Sequence, residues 1–207
     1  MKYTLYYIHD PMCSWCYAFK PTLNEIKNSL DKDYKFINIV GGLAKHTQEP
    51  MPKDMQEMIE NIWYQIENEV GTKFNHNFWR VCTPRRSTYE ACKAVIIARQ
   101  YNKEEQMIEA IQEAYYQKAL NPSNWETLIS LAQELNIPKE EFEEKIKSNK
   151  AQTLLEEDLN LRRKLKVRVF PTLLLKYKKE IYPINIQYNE PLKILKQIKD
   201  LTSNIYF

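Results

Sequence analysis

Tyr3-Thr4-Leu5-Tyr6-Tyr7-Ile8-His9-Asp10-Pro11-Met12-Cys13-Ser14-Trp15-Cys16 is the stretch in which the fold of this chain becomes readable. Residues 2–8 are rich in Tyr, Thr and Ile with partial alternation, the pattern of a β-strand. Beyond the Asp10-Pro11 turn, Trp15, Phe19, Leu23, Ile26 and Leu30 recur every three or four residues, as one face of a helix requires. A second extended run follows over 34–40, with Tyr34, Phe36, Ile37, Ile39 and Val40. Strand, helix and strand in that order set two parallel strands side by side. The Cys-x-x-Cys pair stands where the first strand hands over to the helix.

That position carries chemistry. Backbone N–H groups in the first turn of a helix lack intrahelical partners, and with the helix dipole they favour an anion. A thiolate at Cys13 is such an anion, and lowering its pKa from about 8.5 makes it a nucleophile at neutral pH. Cys16 lies on the same helix face, roughly 5 to 6 Å away at Cβ, close enough to close a disulfide and so to act as the resolving thiol. Two other readings compete. The pair is half of a zinc site if Cys82, Cys92, His9, His46 or His76 complete it, although none of these recurs as a second ligand pair. It is otherwise an inert buried pair.

The rest of the chain surrounds this unit with helices. From about 52 to 166 the spacing is helical throughout, and Met55, Met58, Ile59, Ile62, Trp63 and Ile66 form one stripe, read as helical core. Ser87-Thr88-Tyr89-Glu90 reads as a capping box, Ser123 to Glu126 repeats it, and Pro138 opens a further helix. Extended structure returns after Pro171, where Thr172 to Tyr177 and Ile181 to Gln187 pair across Lys178, Lys179 and Glu180. A last helix follows Pro191, with Leu192, Leu195, Ile198 and Leu201 expected on its buried side. The class is α/β, a small mixed sheet interrupted by a helical domain inserted in one connection.

Composition narrows the function. The 207 residues, 43% hydrophobic and 28% charged, are those of a folded chain and not of a disordered one. Only three glycines are present, so neither a Rossmann fingerprint nor a P-loop can be built. The net charge of +3 is spread through the sequence, without the clustered basic face that nucleic acid requires. The longest apolar runs, such as Leu173 to Leu175, are too short to cross a bilayer. The N-terminal segment is too short and too polar for a signal-peptide core, so a cytoplasmic location is expected. In that reducing compartment four cysteines call for a chemical reading more than for structural bridges.

Strand, Cys-x-x-Cys at a helix start, helical insertion and Phe170-Pro171-Thr172 opening a strand pair resemble the DsbA family of thioredoxin-fold thiol-disulfide oxidoreductases, over nearly the whole chain. Asp10-Pro11-Met12-Cys13-Ser14-Trp15-Cys16-Tyr17 and Pro84-Arg85-Arg86-Ser87-Thr88-Tyr89 are similar to its cytoplasmic, FrnE-like bacterial branch. The resemblance implies a thioredoxin-like domain of residues 1–45 and 167–207, and a helical domain of residues 46–166 inserted between the βαβ and ββα halves. It implies Cys13 as attacking cysteine, Cys16 as resolving partner and Pro171 as a cis-proline facing them. Substrate contacts then fall to Trp15, Phe170 and Thr172, the backbone at Phe170 pairing with an extended peptide.

Accessory roles are expected for His9 and Asp10, in holding or shuttling a proton near Cys16, and for Arg85 and Arg86, in binding an anionic peptide or assisting a thiolate. Cys82 and Cys92 are either small buried hydrophobes or an accessory redox pair. No metal or organic cofactor is implied beyond the redox-active disulfide. The implied partners are protein or peptide thiols and disulfides, with glutathione as co-substrate or a thioredoxin-type reductant; neither nucleic acid nor membrane is among them.

The dipeptide between the cysteines is Ser-Trp, where the strongly oxidising periplasmic member has Pro-His. Val167-Arg168-Val169 stands where a glycine is often seen shortly before the proline. DsbA and thioredoxin differ by about 150 mV, so oxidant, reductase and isomerase all stay open. Two other classes of function compete. One is a glutathione-using relative of the kappa-class transferases and chromene-carboxylate isomerases, which usually place Ser at the position of Cys13. The other is a non-catalytic chaperone or binding module, which the 4 Trp, 14 Tyr and 7 Phe permit.

Overall fold

The computed structural model describes residues 2–203. Strand β1 (Tyr3–His9) runs parallel to β2 (Tyr34–Val40), in register from Tyr3 opposite Tyr34 to His9 opposite Val40, and helix α1 (Ser14–Ser29) joins them. On its other side β1 pairs antiparallel with β3 (Thr172–Tyr177), which pairs antiparallel with β4 (Glu180–Ile184), giving the order β2-β1-β3-β4. Strand β4 ends sooner than the expected Gln187, and its Pro183 is tolerated because β4 is an edge strand with one neighbour.

The two-residue period of a strand sends alternate side chains to opposite faces. Tyr3, Leu5 and Tyr7 pack on one face against Phe19, Leu23 and Ile26 of α1 and Ile194 and Ile198 of the last helix (Pro191–Ser203). Of the expected face, Ile198 is buried and Leu195 and Leu201 pack partly buried against the same core, whereas Leu192 is 78% exposed and Ile194 and Thr202 are buried in addition. Contact with α1 and β4 sets that small rotation. On the opposite face Ile8, Ile39 and Leu174 pack against Val167, with Leu161 and Leu165 alongside.

Between β2 and β3 come α2 (Lys53–Val70), α3 (Phe78–Val81), α4 (Tyr89–Arg99), α5 (Glu104–Tyr116), α6 (Trp125–Glu134), α7 (Lys139–Lys147) and α8 (Asn149–Lys164), so the final helix is α9. Ala91, Cys92, Ala94, Val95, Ile96, Ile97 and Ala98 make α4 apolar almost all round, which places it at the centre of this helical half. The same core runs on into Met12, Ala18 and Val40, so packing is continuous with the sheet half.

The capping boxes take another form. Ser87 Oγ donates to the Glu90 carboxylate at 2.7 Å and not to a backbone group, and Glu90 also meets His46, because α4 begins within a polar loop cluster. Ser123 Oγ donates to the Ser87 carbonyl at 2.8 Å, tying two loops together instead of capping α6. Pro138 precedes α7 by one residue, and Ser148 caps α8 through the Ala151 N–H at 3.2 Å. No helix among the described residues is long and apolar enough to cross a membrane.

Candidate active site

The turn after β1 sets the position of the first sulfur. The Cys13 N–H donates to the Asp10 carbonyl at 3.0 Å, and Cys13 has extended backbone immediately before α1 (φ −88°, ψ 118°). Its own carbonyl then accepts the Tyr17 N–H at 3.0 Å, the first bond of the helix. No acidic residue stands in the first turn of α1, so nothing there competes for the helix N-terminus. Cys16 follows one turn on, at 0% exposure against 7% for Cys13, and both are free thiols.

Across from them lies the loop entering β3. The Phe170–Pro171 bond is cis, and the Phe170 carbonyl faces the Cys13 thiol, with Sγ donating at 3.8 Å. The Phe170 ring is seated on Gly41, where a Cβ would collide with it. Thr172 Oγ1 donates to the Val169 carbonyl at 2.7 Å and so braces this loop, while Trp15, tilted against Tyr188 at 5.2 Å, walls the site. A cleft of about 330 Å³ opens over Cys13, lined by Trp15, Leu43, Met58, Ile59, Ile62, Arg86, Tyr115, Arg168, Val169 and Phe170.

The two sulfurs differ in environment. Burial pushes the Cys16 thiol well above its usual value, and the adjacent Cys13 pushes it further. Tyr7 is raised as well, by burial first and then by both cysteines. A protonated, enclosed thiol therefore stands behind one that opens to the cleft. Among the described residues no group of three or more His, Cys, Asp or Glu side chains gathers where a metal ion fits.

His9 is fully buried, stacked on Tyr7 at 4.8 Å, and neither ring nitrogen has a hydrogen-bond partner. Desolvation, helped by Lys27 and Arg99, lowers its pKa to about 3. Below its ordinary 6.5 the unfolded chain binds a proton that the folded chain refuses. The stabilisation is thus present above pH 6.5 and is lost as pH falls toward 3. The loss runs at about 1.4 kcal/mol per pH unit, or about 2 kcal/mol at pH 5. Denaturant unfolding at pH 7 and pH 5 checks this: the wild type is expected to lose about 2 kcal/mol more than His9→Phe over that interval. Equal losses would remove His9 from the account.

Asp10 is also fully buried, and it gathers three segments. Its carboxylate accepts the Met12 N–H at 2.9 Å, the Leu43 N–H at 2.6 Å, the Thr88 hydroxyl at 2.7 Å and the Cys92 thiol at 3.5 Å. Desolvation raises its pKa, and those hydrogen bonds oppose the rise. Cys92 is thereby engaged with Asp10, and Cys82 donates to the Ala119 carbonyl at 3.1 Å; both are free thiols.

The adjacent arginines separate. Arg85 turns from the thiols to the Ser123 carbonyl and, at 2.8 Å, to Asn124 Oδ1, while Arg86 lines the cleft. Met58, Ile59, Ile62, Arg168 and Leu43 are cleft residues that the sequence reading did not single out for function. One signal was present: the stripe on α2 is wider than the Trp63 and Ile66 that the helix buries. Met58 is 53% exposed and faces the cleft, while Ile59 and Ile62 line the cleft and also pack against the helical core.

A search of solved structures finds the same architecture. A candidate protein disulfide isomerase from Nitrosomonas europaea superposes with a TM-score of 0.84 at 24% identity, covering 100% of both chains. Cytosolic disulfide reductase DsbM from Pseudomonas aeruginosa gives 0.80 at 19% identity, over 97% of this chain and 98% of its own. A structure of it with GSH gives a TM-score of 0.78. Among curated proteins, the ClpXP adapter protein SpxH of Bacillus subtilis is 22% identical over 172 residues, covering 82% of this chain and 56% of its own length. The chain thus spans little more than half of the curated relatives it matches. The structural likenesses establish a DsbA-like thioredoxin fold, α/β with a helical insertion. The profile of the family described as Thioredoxin matches residues 6–197, nearly the whole chain, and the chain belongs to that family.

Proposed function

We propose that the chain is a thiol-disulfide oxidoreductase in which Cys13 is the nucleophile and Cys16 the resolving thiol. The observation that carries this reading is the asymmetry of the pair: Cys13 opens to a cleft against the Phe170 carbonyl, and Cys16 is enclosed one turn behind it. The Cys13 thiolate attacks one sulfur of a substrate disulfide, forms a mixed disulfide and expels the other sulfur as a thiolate, which takes up a proton. Cys16 then attacks the Cys13 sulfur and its proton passes to the departing second substrate thiolate, so that a Cys13–Cys16 disulfide remains. The substrate has gained two electrons and the enzyme has lost them.

Recycling needs a dithiol or two monothiols. Glutathione or a thioredoxin-type reductant fits that need in the cytoplasm, where thiols are kept reduced. The likeness to a disulfide reductase seen with GSH supports this choice. Protein or peptide disulfides are the proposed substrates, with Trp15 and the backbone at Phe170 receiving an extended segment and Thr172 holding the Phe170 loop in place. The cycle uses no metal and no organic cofactor.

Cys16→Ser tests the order of events. It removes the second step and leaves the first, so incubation with a disulfide-bonded peptide is expected to yield a stable adduct on Cys13, read by mass spectrometry. An adduct on another cysteine, or none, overturns the assignment.

A further inference from the structure

The seven arginines of the chain divide sharply by partner. Arg80 bonds to Asn77, Arg85 to Ser123 and Asn124, Arg99 to Glu104 and Asp158, Arg162 to the Gly41 carbonyl, and Arg163 to Glu156 and Asn160. Arg86 and Arg168 are the two left without a hydrogen bond or ion pair among the described residues, and both line the cleft over Cys13. They approach it from different parts of the chain, Arg86 from the segment before α4 and Arg168 from the loop before Pro171. Among the described residues no Asp or Glu lines that cleft, and its remaining walls, including Met58, Ile62 and Val169, are largely apolar.

Two unpaired guanidinium groups beside a nucleophilic sulfur, with no internal anion to satisfy them, describe a receptor for anions. The guanidinium fork matches a carboxylate in bidentate fashion. A cleft of about 330 Å³ lies at the small end for ligand sites, the scale of a short peptide.

We propose that Arg86 and Arg168 make this cleft selective for small peptide thiols and disulfides that carry carboxylates near the reacting sulfur. The inference rests on the oxidoreductase reading and adds the substrate class to it. Substrate carboxylates dock on the two arginines and bring the disulfide to Cys13; the electron transfer is the one written above.

Glutathione disulfide and its tetraethyl ester, in which all four carboxylates are blocked, are the probes. With the full chain recycled by dithiothreitol, which supplies the two electrons and is oxidised to its cyclic disulfide, kcat/KM is expected to favour the free acid by tenfold to a hundredfold, and added salt to shrink that preference. Arg86→Gln and Arg168→Gln are each expected to reduce the ratio several-fold and the double variant to bring it near one, while Arg86→Lys restores part of it. Equal kcat/KM for acid and ester in the wild type, or an undiminished ratio in the double variant, overturns the proposal. A disulfide-bonded protein turned over faster than glutathione disulfide also overturns it. The failures are distinguishable: Cys13-dependent turnover of both probes at equal rates, or of disulfide-bonded insulin but neither probe, defeats the selectivity alone, and no Cys13-dependent turnover of either probe or of insulin defeats the oxidoreductase reading itself.

Discussion

Cys13→Ser is expected to bring disulfide reduction down to the uncatalysed rate while leaving the fold intact. Serine replaces sulfur by oxygen at the end of the same short side chain, so packing at a 7% exposed position changes little. The chemistry changes completely, because a hydroxyl neither ionises near neutrality nor forms a disulfide. No second thiol is placed to take over. Cys16 is enclosed and its thiol is pushed up by burial, Cys92 is buried against Asp10, and Cys82 bonds to the Ala119 carbonyl on another cleft. Insulin reduction with a recycling thiol reads the loss, and circular dichroism confirms that the variant is folded. A turnover that survives the substitution would move the nucleophile elsewhere.

Asp10→Ala is expected to be the most damaging substitution for stability near the site. The carboxylate accepts two backbone N–H groups, a hydroxyl and a thiol, all in a buried setting. Without it the Met12 and Leu43 amides lose their acceptor, and a buried unsatisfied donor costs about 1 to 3 kcal/mol. The expected loss is about 3 to 5 kcal/mol, partly offset because the desolvated carboxylate is itself unfavourable. For a chain of this length that lowers Tm by roughly 10 °C, measurable by scanning calorimetry. Asp10→Asn keeps one acceptor oxygen and is expected to lose less. A fall of under about 2 °C in the alanine variant would show that water replaces these bonds. Activity measured below the transition is expected to fall as well, since the Asp10 carboxylate also holds the Met12 amide in the turn that presents Cys13.

Much of the site was legible because it is local. Strand alternation and helical spacing act between residues two to four apart, so β1, α1 and β2 follow from their own sequence, and the cysteine pair lies where the first two meet. The placement of Phe170 and Pro171 came from resemblance to a family, since nothing within five residues of Pro171 distinguishes it from any other proline. The capping boxes failed for a related reason. Ser87 and Glu90 have the right spacing, but His46 and the Ser123 hydroxyl reach them from distant loops and change their partners.

What the sequence alone determined is the type and order of the elements that frame the site and the chemical type of the candidate nucleophile, because both are carried by residues a few positions apart. Only the tertiary structure decided which polar groups find partners. Arg85 and Arg86 are adjacent, yet one is tied to the loop before α6 and the other is left facing a cleft. Asp10 and Cys92 meet across 82 positions, and Cys13 meets the Phe170 carbonyl across 157. A hydrogen bond or an unmatched charge depends on what the chain brings back from far away, and no local window of sequence contains that information.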